Sequence, residues 1–341
     1  MNIPHSQPWL TAEDRLAVDA CLNAGMIAAG EAVSRFESQL ADYIGGTKGV
    51  ATGSGTAALQ MCLRALDVGE GDEVILPTYV CRKVYGAITA CGATPVLCDI
   101  GEEWNMTAET VSSVMSQRTA AIIVVHIFGI PAGDIEEIMN FGFPVIEDAC
   151  QALGAKLHNN NVGSIGQLSF FSFHATKCLT TGEGGVAVAN TDTLAQRLEE
   201  VKKANWCPAP MSDMQAALGL QQLSGYSEFL DKRQQLAQRY FTELANCNIT
   251  LPSVVSNRSI FFRFPVRQRK YDYETVEAFF QRHNIQVRRG VDNLLHWQFR
   301  LQLPPFPIAE KMFAETLSLP LYPALTLQEH DRITEIARKL W

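Results

Sequence analysis

From about residue 50 the chain alternates short apolar, β-branched runs with stretches whose apolar residues recur every three or four positions. The runs are EVILP at 73–77, TPVLCDI at 94–100, AAIIVVHIF at 120–128 and PVIED at 144–148. They are nearly continuous in apolar residues instead of alternating, as strands buried on both faces by crossover helices require. Between them, TAALQMCLRAL carries Leu59, Cys62, Leu63 and Leu66 at helical spacing. The pattern predicts an α/β layer architecture with a largely parallel sheet.

The flanks follow other periods. TAEDRLAVDACLNAG starts with Thr11 three residues before Asp14, a capping-box start, and ends at Gly25; EAVSRFESQLADYIGG sets Phe36, Leu40 and Tyr43 on one helical face. After LSFFSF and VAVAN, the helical TLAQRLEEVKKAN is followed by SDMQAALGLQQLSGYSEFLDKRQQLAQRYFTEL, long enough to bridge two domains. Pro252 and Ser253 then lead into FFRFPV, a helix around YETVEAFFQRH, the strand-like IQVRR and a last helix in LQEHDRITEIARKLW, a mixture that predicts a smaller α+β domain from about residue 230. A chain of 341 residues exceeds the size at which one core usually stops growing, so two sub-domains are expected.

Composition narrows the partners. With 47% hydrophobic and 19% charged residues and a formal charge of −8, the chain lacks the clustered Lys and Arg that nucleic acid would require. Cys21, Cys62, Cys81, Cys91, Cys98, Cys150, Cys178, Cys207 and Cys247 are dispersed, odd in number and without CxxC spacing, which reads as buried reduced thiols and no metal site. The N-terminus has no basic segment followed by an apolar one, and no apolar run approaches the ~20 residues that span a bilayer. A cytoplasmic protein with no membrane partner is expected.

Three stretches carry candidate chemistry. ATGSGTAAL at 51–59 puts glycines and the Ser54 and Thr56 hydroxyls before a helix, a site for a phosphate dianion or an ordinary helix-capping turn. PVIEDACQALGA sets Asp148 at the carboxyl end of a buried strand, where ligand crevices form in open α/β sheets; it either caps the following helix or meets a cationic ring nitrogen, with Gln151 three residues on. SFFSFHATKCLTTGEGGVAVAN at 169–190 encloses a single lysine, Lys177, between apolar strands. Such a lysine is most often solvated, but a desolvated one loses its proton more readily and attacks carbonyls. An aldehyde-bearing phosphate ligand would use all three stretches at once.

The blocks GSGTAALQMCLRAL, GDEVILPTYV, GATPVLCDI, VIEDACQALGA, VGSIGQLSFFSFHATKCLTTGEGGVAV, MSDMQAALGLQQL and LSLPLYPALT, in this order, carry a resemblance. Over nearly its whole length the chain resembles the DegT/DnrJ/EryC1/StrS aminotransferases, pyridoxal 5'-phosphate enzymes of the aspartate aminotransferase fold type I. The resemblance implies a large cofactor-binding domain over 26–230 with a mostly parallel seven-stranded sheet, a small α+β domain over 231–341, and a segment 1–25 packing with the small domain. It implies that Lys177 is the Schiff-base lysine and later the proton shuttle, and that Asp148 pairs with the pyridinium nitrogen. Gln151 would sit near the ring hydroxyl, and Ser172 and Thr56 with the Ala57 amide would hold the phosphate; Ser54, Gly55, Cys81 and His174 complete the implied cofactor set. Glutamate or glutamine would give its amino group in a ping-pong mechanism to a keto-sugar, nucleotide-linked and serving surface polysaccharide or secondary metabolism. A keto-inositol, a small ketone, or a cofactor-binding regulator without turnover are the alternatives; a dehydratase would replace Lys177 by histidine. The resemblance also implies a homodimer with active sites at the subunit interface.

The sequence departs from the family pattern in places. Cys81 stands where the family commonly has an aromatic that stacks on the ring, leaving Tyr79 or Tyr85 to supply it. NWCPAPMSD has Pro208 and Pro210 where an Asn-x-Arg usually reaches the neighbouring subunit's phosphate, so Arg82, Lys83, Asn205 or Trp206 become substitutes. His174 reads as packing beside the cofactor and His126 as a hydrogen-bonded core residue; His296 and Trp297 are acceptor-pocket candidates by resemblance.

Overall fold

In the computed structural model of the protein, which describes residues 2–204, 209–253 and 259–341, the first two helices begin and end where their caps allow. Helix α1 (Ala12–Ala24) opens with a reciprocal capping box between Thr11 and Asp14 and stops at Gly25, whose φ of 71° is left-handed. Helix α2 (Glu31–Ile44) buries Val33, Phe36, Leu40 and Ile44; Tyr43, expected on that face, lies one position too early and is 37% exposed. The N-terminus of α2 is capped from afar, the Gly30 and Val33 amides donating to Asp213 Oδ1 at 2.8 and 3.0 Å.

Among the described residues seven strands form the central sheet. They are β1 (Lys48–Thr52), β2 (Glu73–Pro77), β3 (Thr94–Cys98), β4 (Thr119–Val125), β5 (Val145–Asp148) and, after the hairpin β6 (Lys156–Leu157) and β7 (Asn160–Asn161), β8 (Leu168–Ser172) and β9 (Gly185–Ala189). Their spatial order is β1-β9-β8-β5-β4-β2-β3. Only β9 runs against the others, pairing antiparallel with β1 and β8. The four apolar runs are β2 to β5. Their alternate residues enter different cores: Val74, Leu76, Ile123 and Val125 pack with helices α3 (Gly55–Ala65), α4 (Arg82–Ala90) and α7 (Asp192–Lys203), whereas Ile75, Ile122 and Val124 pack with α5 (Ala108–Ser112) and α6 (Ile135–Met139).

The long helical segment after the sheet is not one rod. It breaks at Gly225 into α8 (Asp213–Ser224) and α9 (Tyr226–Glu243). A second sheet then forms from β10 (Phe264–Arg267), β11 (Arg288–Arg289) and β12 (Thr316–Leu319), antiparallel in the order β10-β12-β11, with α10 (Tyr273–Arg282) and α13 (Leu327–Leu340) beside it. The expected strand IQVRR shrinks to its last two residues. Between β11 and β12, Leu294, Leu295, Phe306, Ala309 and Met312, on or beside α11 (Leu295–Gln298) and α12 (Pro307–Glu315), join the core of the central sheet. Asp99 at the end of β3 fastens them, accepting from the Ile308 and Ala309 amides at 3.0 and 2.8 Å. At the other end of the chain Ile3 bridges to Ile285 and enters the core of the second sheet. Among the described residues no helix is long and apolar enough to cross a membrane. The eight described cysteines are free, but burial is complete for Cys62 and Cys98 alone among them, and Cys81 is exposed; Cys207 lies outside the described residues.

Neighbouring residues on a strand face opposite ways, and β5 ends in two carboxylates. Glu147 is fully buried and accepts from the amides of Gly163, Ile165 and Gly166 at 2.7 to 2.8 Å. His126 Nδ1 accepts from the Ala132 amide, so Nε2 carries the proton that it donates to Glu147 at 3.0 Å. Glu147→Ala strands four donors in a dry interior and should cost about 3–5 kcal/mol in urea unfolding. A loss below about 1 kcal/mol would remove Glu147 from this role.

Candidate active site

Because six strands run the same way, their carboxyl ends share one edge of the sheet, the edge at which open α/β sheets form crevices. Thr52 and Ser172 both pair with Gly185 there. From Thr52 the chain turns into α3: the Thr52 hydroxyl donates to the Ser54 carbonyl at 2.9 Å, and the Ser54 hydroxyl accepts from the Ala57 amide at 3.2 Å. Ser54 thus caps the helix and takes the Ala57 amide for itself. The approach is close: a Cβ on Gly55 would come 2.8 Å from Ser172 Cβ, and one on Gly185 would come 2.5 Å from the Ser54 backbone.

Asp148, the last residue of β5, faces this edge and is 7% exposed. Its Oδ1 accepts from the Cys150 amide at 3.1 Å. Burial pushes its carboxyl above the usual range, opposed by the Lys177 charge, the Cys150 hydrogen bond and His126. Gln151 follows, with Oε1 accepting from the Phe128 amide at 2.8 Å.

The loop from β8 to β9 presents Lys177. Its base is closed by Phe173 donating to the Gly184 carbonyl and accepting from the Thr181 amide, both at 2.9 Å, with Thr180 and Thr181 buried beneath. Gly182 at φ 79° and Gly184 at φ 157° make the return turn. The Lys177 amide donates to the His174 carbonyl at 2.8 Å, and its Nζ lies 5.0 Å from the centroid of the Phe262 ring. His174 stands half-exposed, Nδ1 3.0 Å from the Thr176 hydroxyl and Nε2 3.6 Å from Glu183 Oε1.

These groups meet around a cavity of about 330 Å³. Ser54, Gly55, Thr56, Cys81, Asp148, Gln151, Ser172, His174 and Lys177 all line it; Ala57 does not. Cys150 also lines it, its thiol pushed well up by burial and then by Asp148. The substitutes proposed for a stacking aromatic are elsewhere. Tyr79 is fully buried beneath Gly290, edge-on to Phe128, and Tyr85 stacks on Phe299 with centroids 4.1 Å apart. His126 is fully buried in the Glu147 network, with one edge on the cavity. His296 Nδ1 is 2.7 Å from the Thr78 hydroxyl, and neither it nor Trp297 lines the cavity. Lys83 does line it, and Arg82 lines an adjoining cavity of about 210 Å³ with Asp292, Asn293 and Gln298. Asn205, Trp206 and Pro208 lie outside the described residues. Sequence reasoning missed His5, Phe262, Arg263 and Arg288, which the second sheet and the N-terminal segment bring to the same space. FFRFPV and IQVRR signalled strands and nothing more.

The geometry has relatives. The sequence pattern of the DegT/DnrJ/EryC1/StrS aminotransferase family matches residues 8–338. The chain is 30% identical to the spore coat polysaccharide biosynthesis protein SpsC of Bacillus subtilis, over 99% of this chain and 97% of that one. It is 31% identical to the GDP-perosamine synthase of Caulobacter vibrioides, over 97% and 96%. The PLP-form of Spr1654 from Streptococcus pneumoniae superposes with a TM-score of 0.92 at 26% identity, covering 100% of this chain and 98% of that one. The chain belongs to the DegT/DnrJ/EryC1/StrS aminotransferase family.

Proposed function

We propose that the chain is a pyridoxal 5'-phosphate-dependent sugar aminotransferase that moves an amino group from glutamate or glutamine to a nucleotide-linked keto-sugar for polysaccharide synthesis. The observation that carries the reading is one cavity lined together by the Lys177 amine, the buried Asp148 carboxylate and the Ser54–Thr56 turn with Ser172. The names of the SpsC and GDP-perosamine synthase relatives support the sugar and its polysaccharide use.

The residues fit this cofactor. The turn at Gly55 and Gly185 has no room for a Cβ, which suits a phosphate held by backbone and the hydroxyls of Ser54, Thr56 and Ser172. Asp148, costly as a buried anion, suits a cationic ring nitrogen and would keep its proton in place. When bound, the cofactor supplies an electron sink for negative charge at the substrate Cα. Lys177 Nζ would hold the cofactor by its aldehyde carbon, and as a free amine it would carry the proton to and from the substrate Cα. Gln151, His174 and Cys81 line the remaining space.

The same reading takes the protein as a cytoplasmic homodimer with the division 1–25, 26–230 and 231–341. Leu16, Leu22, Met26 and Ile27 are 47 to 67% exposed, an apolar surface that suits a partner subunit.

The enzyme should bind the cofactor with absorbance near the visible edge and lose that band on adding glutamate or glutamine alone. Lys177→Ala should abolish the band and lower turnover by at least about 10²-fold; an unchanged spectrum defeats the assignment. For Asp148 the sign follows from its raised carboxyl. Folding favours the protonated form relative to the unfolded chain, so this contribution to stability is fullest below the ordinary carboxylate range and falls as pH rises through the folded value. Without cofactor, Asp148→Asn should therefore melt at or above the parent temperature at about pH 7.5, the gap closing toward about pH 3.5. It should also bind the cofactor at least about tenfold more weakly. A variant less stable than the parent at neutral pH contradicts this. In sedimentation, a stable active monomer would contradict the dimer.

A further inference from the structure

The second sheet brings its own charges to the cavity. Arg263, directly before β10, and Arg288, at the start of β11, both line it. Arg263 Nη1 donates to the carbonyls of Arg289 and Gly290, each at 3.1 Å, which fixes the guanidinium fork through one nitrogen. Among the described residues no carboxylate lies within ion-pair distance of either arginine. The segment that carries Arg263 is itself held. Buried Arg233 donates to the carbonyls of Ile260, Phe261, Phe262 and Leu321.

The surroundings do not neutralise the pair. Burial weighs first against the Arg263 charge and Arg288 second, with Asp292 acting the other way. His5, also on the cavity and 3% exposed, has Nε2 2.8 Å from the Ser318 hydroxyl. Burial, then Arg263, Arg288 and Arg233, hold it well below the ordinary histidine range, so it is neutral. The other anions on the cavity are Asp148, Glu183 beside His174, and the exposed Asp292. Two like charges set toward one space cost free energy that a shared oxyanion would offset, and a guanidinium fork matches a carboxylate or phosphate edge. Distance suits a substrate: the Phe262 centroid lies 5.6 Å from Arg263 Cζ and 5.0 Å from Lys177 Nζ.

We propose that Arg263 and Arg288 form an oxyanion subsite, distinct from the Ser54–Thr56 turn, that takes the carboxylate of the amino donor or a phosphate of the acceptor. This rests on the aminotransferase reading for what enters the cavity. The Arg288 side chain makes no hydrogen bond or ion pair within the described protein, so Arg288→Gln removes charge without removing a structural contact. Arg263→Lys keeps the charge and loses the fork. Glutarate, a dicarboxylate with no amino group to react, and UDP are titrated separately by calorimetry into cofactor-loaded parent and variants.

The subsite requires that the parent bind at least one probe, more weakly at high salt, and that Arg288→Gln weaken it by about tenfold or more with cofactor affinity unchanged. Arg263→Lys should weaken the same probe. Loss of glutarate alone assigns the donor carboxylate; loss of UDP alone assigns the acceptor phosphate. No binding of either probe to the parent, or equal binding by parent and Arg288→Gln, overturns the subsite. A parent that takes up no pyridoxal phosphate would instead defeat the aminotransferase reading, and the same titrations on the protein alone would still decide the subsite.

Discussion

A carboxylate with no access to water must gather donors, and Glu147 gathers four. Three are amides of the turn before β8, and the fourth is the ring of His126 at the end of β4. Glu147 therefore binds the two neighbours of β5 to it from beneath the sheet. The two-residue period does the rest: with Glu147 held down, Asp148 has to face the carboxyl edge, in register with Val125 on one side and Phe170 on the other. A one-residue slip would exchange the two carboxylates and destroy both the core network and the cavity. The placement of the candidate acid is thus enforced from the opposite face of the sheet.

The cavity holds charge ahead of any ligand. Burial raises the cost of a charge on Asp148, and among the described residues the Arg263 and Arg288 pair stands without a carboxylate partner. A protein selected for stability alone would pair or replace such groups. Kept as they are, they place electrostatics of both signs around one cavity, where a reacting molecule meets groups already in position. Lys177 shares this space from a loop whose base is closed by backbone hydrogen bonds, so its amine is delivered by a rigid support.

Periodicity revealed the parallel core because β2, β4 and β5 are so thoroughly buried that their apolar runs are unbroken. It passed over β1, an edge strand opening with Lys48 and Gly49, where little hydrophobic signal exists. Gly225 went unread as a break because helical periodicity continues on both sides of it. Asp148 was legible at the end of a strong strand and Lys177 as a single lysine between two other strands, and the family blocks around them supplied roles that spacing could not. Arg263 and Arg288 were not, because their meeting depends on how a second sheet folds back across 24 intervening residues, and no local pattern encodes that return. The same holds for Tyr79 and Tyr85, whose environments are set by Gly290 and Phe299 far along the chain.

The segment between β11 and β12 leaves the small sheet to join the large core, where the Asp99 carboxylate ties down the start of α12. Two flanks of the recess consequently answer to different foundations. Arg263 and Arg288 sit on or beside strands of the small sheet, while Asn293 and Gln298 flank residues of the large core. Substitutions that reseat the small sheet can retune grip on the anionic end of a molecule and leave recognition of its remainder untouched, so lineages built on this scaffold have two separable dials for changing what they accept.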